Sequence, residues 1–289
     1  MKTQRLVKPP KAYKNIEFLN SPEARTIRML AEFLEPQARF RQYKVQDTIV
    51  FFGSARLRSR DEAMKKLKIV RREVDGVQRP TREMLRKFRD AQVGFEMSRY
   101  YEEAVVLSRL LTEWSIGLDE GNRFVVCSGG GPGIMEAANK GAQLAGGKTV
   151  GLNISLPFEQ YPNPYITPGL GFEFHYFFMR KFWFMYLSKA LVAFPGGFGT
   201  FDELMEVLTL LQTQKTKKQM AVVVYGTSYW NKVVDFEEMV NHGLISREDL
   251  NILKFVDTPE EAFEYLKRYL TEHYLDKRHH RRTKRAKGA

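Results

Sequence analysis

Three groups of residues in this 289-residue chain have the types and spacing for anion chemistry. The first is Pro195-Gly196-Gly197-Phe198-Gly199-Thr200-Phe201-Asp202-Glu203, entered from the uncharged run Ala190 to Phe194. A β-type run, then proline and three glycines, then an apolar/acidic helical pattern predicts a buried strand, a tight turn and a helix beginning near Thr200. The glycines let the backbone approach a ligand, and the helix start turns unpaired N–H groups and a positive dipole end toward it. Gly196, Gly197, Gly199 and Thr200 are therefore expected to hold phosphate. The second group, Gly129-Gly130-Gly131-Pro132-Gly133, is another strand-to-helix turn, between Phe124 to Ser128 and a helix over Ala137 to Ala145. The third, Gly53-Ser54, ends a first strand in the form usual for a ligand-side loop. Loops at the carboxyl ends of parallel strands share one edge, so Gly130, Gly131, Gly133 and Ser54 can face the same crevice. Tight helix–strand packing is the competing use of the same glycines.

Charged residues join these turns. Arg180-Lys181 stands in the apolar, aromatic segment YFFMRKFWFMYL. Either both side chains snorkel to the surface, or Arg180 forks a phosphate or ribose oxygen or shares in proton handling while Lys181 adds point charge. Glu203 falls in the expected first turn of its helix, where an acid either compensates the dipole or does chemistry. Two better-known phosphate motifs fail. GGGPGI is not GxGxxG, because the third glycine position is Ile134 or Glu136; AQLAGGKT, a relaxed Walker A, leads into a strand at Lys148-Thr149 and offers no helix N-terminus.

PGGFGTFDE, with Arg180-Lys181 15 residues before Pro195 and SGGGPGIMEAA upstream, closely resembles the Lonely Guy (LOG) family, proteins often mislabelled lysine decarboxylases. The resemblance spans roughly residues 47 to 269 and skips a charged insertion near 56–94. It implies a Rossmann-like homodimer that hydrolyses the N-glycosidic bond of a nucleoside 5′-monophosphate, such as AMP or a cytokinin riboside monophosphate, releasing base and ribose 5-phosphate. It places the catalytic pair on Arg180 and Glu203, and nucleotide contacts on Lys181, Gly196 to Asp202, and Thr209. The sequence departs from the family at Phe178, where a His is usual, and at Phe184, where a Met is usual; Glu159 is a loose candidate for the lid-side acid that touches the base. The alternative is a non-catalytic nucleotide or pterin-phosphate carrier on the same fold. Neither cofactor nor metal is expected: no lysine reads as a Schiff-base residue, and the histidines are scattered or lie in the tail at His279-His280.

The elements that must position these residues alternate strand and helix, which predicts an α/β, Rossmann-like doubly wound parallel sheet in a single domain. Three parts are expected: a basic N-terminal extension with a helix (1–46), the sheet domain with its charged helical insertion (47–270), and a basic C-terminal tail (271–289). Helices are expected over 100–114, 177–188, 230–241 and 259–269, and a proline-rich loop over 157–171. The formal charge of +12 resides mostly in the termini, where Met1 to Lys14 holds five Lys/Arg and no acid. Nucleic-acid contact is assigned to these tails only as a lesser alternative to plain solvation. A single cysteine, Cys127, excludes a disulfide framework, and the absence of a long apolar run makes a cytoplasmic protein without a membrane span the expectation.

Overall fold

Runs such as Thr48–Phe52 (TIVFF) and Ala221–Tyr225 (AVVVY) are buried at every position, as parallel strands covered on both faces must be. The computed structural model describes residues 8–118, 121–157 and 161–276. Its strands are β1 (Thr48–Phe52), β2 (Val125–Ser128), β3 (Thr149–Ile154), β4 (Gly171–Phe174), β5 (Ser188–Ala193), β6 (Ala221–Tyr225) and β7 (Leu253–Val256). All pair in parallel, in the order β4-β3-β2-β1-β5-β6-β7. The winding reverses between β1 and β5, which run in register from Ile49↔Ala190 to Phe52↔Ala193. In such sheets ligands bind in the crevice beyond the carboxyl ends of the strands at that reversal. The doubly wound α/β sheet expected from the alternation is the fold observed. The edge strand β7 is the one the sequence did not announce, because LKFV is short and broken by Lys254.

The helices are α1 (Ile16–Asn20), α2 (Arg25–Gln42), α3 (Arg60–Asp75), α4 (Arg82–Ile116), α5 (Ile134–Leu144), α6 (Phe177–Leu187), α7 (Phe198–Gln212), α8 (Thr227–Val233), α9 (Phe236–Asn241) and α10 (Pro259–Leu270). Leu107, Ala137 and Leu266 of α4, α5 and α10 pack on Ile49, Phe51 and Val223 on one face of the sheet. On the other, Phe40, Trp183, Leu204 and Trp230 of α2, α6, α7 and α8 pack on Val50, Phe52 and Val222. Each face buries alternate residues of the same strands, as a period of two requires.

Two of the expected helices are divided differently in the structure. The charged insertion and the helix expected at 100–114 share one 35-residue helix, α4, with α3 packed against it; the lone Gly94 between them is tolerated, since an isolated glycine costs a helix only about 1 kcal/mol. The helix expected over 230–241 is two: Val234 is extended (φ −139°, ψ 127°), and Asp235 restarts the helix by accepting from Glu238 N–H. The N-terminal helix α2 is bound into the sheet domain. The Phe40 ring lies 4.9 Å from Phe172 and 5.4 Å from Trp183, and Arg39 Nη1 donates to Gly171 O at 2.8 Å. No side chain of its own caps α6. Instead the Glu32 carboxylate of α2 accepts from the backbone N–H of His175 (2.8 Å) and Tyr176 (3.2 Å), just before α6 begins. Among the described residues no helix is long and apolar enough to cross a membrane.

Candidate active site

A cleft of ≈ 690 Å³ opens at the carboxyl ends of β1 and β5. Its walls come from the loop after β1, the turn after β5, α6, the start of α7, and Tyr229 of α8. The turn after β5 is pinned twice: Pro195 O accepts from Ser54 N–H at 3.0 Å, and Gly196 O accepts from the Tyr229 hydroxyl at 2.5 Å. A Cβ on Gly196 would overlap the Thr200 side chain, so packing demands glycine there. At Gly197 and Gly199 an added Cβ would meet nothing within 4 Å, and Gly197 sits at φ −96°, open to any residue. Neither backbone nor neighbours require glycine at those two positions; the space beside them is the cleft. Gly197 is the N-cap of α7 and supplies no side-chain cap, so the first-turn N–H groups of Phe198 and Gly199 face the cleft without intrahelical acceptors, at the positive end of the helix dipole.

Because α7 begins at Phe198 rather than near Thr200, Glu203 lies in its second turn. That removes the dipole-compensating role considered from the sequence, which falls off beyond the first turn. Glu203 is only 5% exposed, and its Oε1 meets Arg180 Nη2 of α6 at 3.3 Å. The Arg180 guanidinium lies 5.1 and 5.5 Å from the rings of Phe177 and Phe184, and its Nε is buried without a hydrogen-bond partner. Neighbours on a helix point about 100° apart, and Arg180 and Lys181 separate accordingly. Arg180 lines the cleft, while Lys181 Nζ turns to α7, 2.7 Å from Asp202, 2.8 Å from Glu206 and 3.6 Å from Glu203. Burial pushes the Glu203 carboxyl above its ordinary value, and the attraction of Lys181 and Arg180 offsets this only in part. Burial lowers Arg180, against the pull of Glu203. Burial also pulls Lys181 down, but its hydrogen bonds to Asp202 and Glu206 prevail and raise it. Both members of the Arg180–Glu203 pair are thus held where loss of charge is easier than in water.

Among the residues singled out in the sequence, Ser54, Gly196, Gly197, Phe198, Gly199, Thr200, Arg180 and Glu203 line the cleft together. Phe198 stands at its rim, 98% exposed. Phe201 turns its ring to Trp230 at 5.1 Å, and Thr209 is exposed further along α7, donating to Met205 O at 2.7 Å. Gly130, Gly131 and Gly133 are absent from the lining, where only Gly129 of their turn appears. Gly133 (φ +71°) presses on the backbone of Ser54 and Ala55, and the carbonyls of Gly130 and Gly131 accept from the buried Asn163 amide at 3.0 and 3.1 Å. Glu159 lies outside the described residues. Of the two departures from the family pattern, Phe184 lines the cleft and Phe178 stands half-exposed against Tyr176, 5.5 Å away. Tyr229 and Met97 line the cleft without any signal in the sequence, since they come from segments far from the motifs, while Arg56 and Leu57 directly follow the Gly53-Ser54 turn and were missed beside it. Lys148 of the rejected Walker-like stretch bonds Tyr43 O and Asn122 Oδ1, beside the amino end of β3.

Fold and site define a Rossmann-like α/β protein with a cleft built beside a buried Arg–Glu pair. The family model described as "Possible lysine decarboxylase" matches residues 135–266. A probable cytokinin riboside 5′-monophosphate phosphoribohydrolase of Oryza sativa subsp. japonica is 26% identical over 180 residues, covering 60% of this chain and 68% of that protein. A cytokinin riboside 5′-monophosphate phosphoribohydrolase of Arabidopsis thaliana is 24% identical over 176 residues, covering 60% of this chain and 78% of that one. In sequence the chain is thus similar to the Lonely Guy proteins, at low identity. Among solved structures, a molybdenum cofactor binding protein from Rippkaea orientalis aligns at 24% identity and a TM-score of 0.41, over 60% of this chain and 88% of that one. A pyridoxal cofactor, which lysine decarboxylation by that chemistry would use, does not fit the lining: among the described residues no lysine stands in the cleft to form the Schiff base.

Proposed function

We propose that this protein hydrolyses the N-glycosidic bond of a nucleoside 5′-monophosphate, AMP or a cytokinin riboside monophosphate, to free base and ribose 5-phosphate. The observation that carries the reading is the buried Arg180–Glu203 pair, 3.3 Å apart, in the same cleft as an open glycine turn and a helix N-terminus. The names of the rice and Arabidopsis relatives support the substrate class.

Cleavage of the C1′–N bond passes through a ribosyl cation with oxocarbenium character. The Glu203 carboxylate, with little water around it, stabilises that developing positive charge and takes a proton from the attacking water. Water oxygen bonds to C1′, the C1′–N electron pair leaves with the base, the base nitrogen takes up a proton from solvent, and Glu203 returns the proton it accepted to solvent. Arg180 holds Glu203 in place through Nη2, and its unpartnered Nε is a donor for a ribose or phosphate oxygen. Phosphate bound by the first-turn amides of α7 fixes the sugar at a distance from the reacting carbon, which converts binding energy into orientation.

The test is product analysis. Incubation of the full chain with AMP is expected to release adenine and ribose 5-phosphate, with adenosine a poor substrate. Tight AMP binding with no base released over hours would replace hydrolysis by the carrier reading. Release by Arg180→Ala at the wild-type rate would remove that residue from the site.

A further inference from the structure

Phosphate held at α7 brings roughly two negative charges, whereas a helix end offers the equivalent of about half a positive charge. Three charged side chains line the cleft among the described residues: Arg56, Arg180 and Glu203. Arg180 is matched to Glu203 at 3.3 Å. Lys181, the next cation, is outnumbered by Asp202, Glu203 and Glu206 and does not line the cleft. The pair and the lysine cluster together contribute no positive excess to the substrate.

Arg56 is placed differently. It is exposed, it lines the cleft, and among the described residues no carboxylate holds it. Its position is fixed through its backbone. Arg56 N–H donates to Ser54 Oγ at 3.1 Å, Ser54 N–H donates to Pro195 O at 3.0 Å, and Ser54 O accepts from Ile134 N–H at 3.1 Å. The loop after β1 is therefore tied to the glycine turn two residues before Arg56, and the guanidinium is left free to swing.

We infer that Arg56 is the charged side chain that joins the α7 amides on the phosphate, the cation that makes the cleft select a 5′-monophosphate over the corresponding nucleoside. A guanidinium suits the task because its fork meets two phosphate oxygens at once. The inference rests on the nucleotide reading of the site. It assigns to the β1–α3 loop, the start of the charged insertion, the charge that the sequence had placed on Lys181.

Calorimetry on the full chain separates the two. Wild type, Arg56→Ala and Arg56→Lys are titrated with AMP, ribose 5-phosphate and adenosine, and adenine release is followed in parallel. The expected result is a loss of about 10- to 100-fold in Arg56→Ala affinity for AMP and ribose 5-phosphate, the size of a charge-assisted hydrogen bond. Adenosine binding is unchanged, Arg56→Lys recovers part of the loss, and the turnover defect falls on KM more than on kcat. Equal AMP affinity in wild type and Arg56→Ala overturns the assignment, and so does a parallel loss for AMP and adenosine, which would place Arg56 on the base or the cleft shape. If wild type binds neither AMP nor ribose 5-phosphate, the nucleotide reading itself falls, a result the Arg56 variants cannot produce.

Discussion

The chain contains two glycine-rich strand-to-helix turns, after β2 and after β5, and they put the same residue type to opposite uses. After β5, Gly197 and Gly199 border empty space and their helix presents free amides to it. After β2, Gly130 and Gly133 adopt φ of +73° and +71°, their missing side chains are replaced by Asn153, Ser54 and Ala55, and Asn163 fills the carbonyls. One turn is open for a ligand; the other is closed by the protein itself. A run of glycines establishes only that backbone comes close to something, and the neighbours decide to what.

Variants can break or sharpen this contrast. The largest effect is expected where the open turn leads: Glu203→Gln should lower kcat by about 10²- to 10⁴-fold, the range for losing a positioned acid–base group, with the melting curve showing that the fold persists. The pH profile sharpens the same point. Burial raises Glu203 above 4.5, so its carboxylate is lost as pH falls through that raised value. The acid limb of kcat/KM should therefore lie above pH 4.5, and a limb at or below it would contradict the burial argument. In the closed turn, Gly133→Ala forces a side chain into φ +71° against Ser54 O, and a loss of about 1–3 kcal/mol in denaturant unfolding is expected. Asn163→Ala leaves the Gly130 and Gly131 carbonyls less satisfied and should cost about 1–3 kcal/mol, read the same way. Gly197→Ala has room for its methyl, so its stability should stay within about 0.5 kcal/mol of wild type while AMP affinity falls. If Gly197→Ala unfolds the protein and Gly133→Ala does not, the contrast is wrong. Tyr229→Phe, which deletes one hydrogen bond to Gly196 O, is the mildest, at about 0.5–1.5 kcal/mol.

The same contrast marks what could be read in advance. PGGFGTFDE was legible as strand, turn and helix because proline, glycine and an amphipathic pattern act within a few residues. The closed character of GGGPG was not, since Ser54, Asn153 and Asn163 reach it from other parts of the chain. The partition of Arg180 into the cleft and Lys181 out of it was hidden for a related reason. Adjacent letters diverge by about 100° on a helix, and which direction faces the site depends on where α7 places Asp202 and Glu206. Most of the sheet was readable from apolar runs such as TIVFF and AVVVY, whereas β7, LKFV, takes its identity from pairing with β6. Tyr229 and Met97 belong to no spacing pattern and enter the cleft through topology alone.

Glu32 gives the N-terminal extension a meaning that its distance from the motifs conceals. Its carboxylate closes the entrance of the helix bearing Arg180, and its carbonyl accepts from Trp183 Nε1 at 3.0 Å on the same helix. A shortened chain starting at Asp47 would keep every motif and every strand, yet it would lose the brace that orients the arginine. The working unit is therefore expected to extend upstream of the first strand, and a fragment starting at Asp47 should release adenine from AMP more slowly than the full chain.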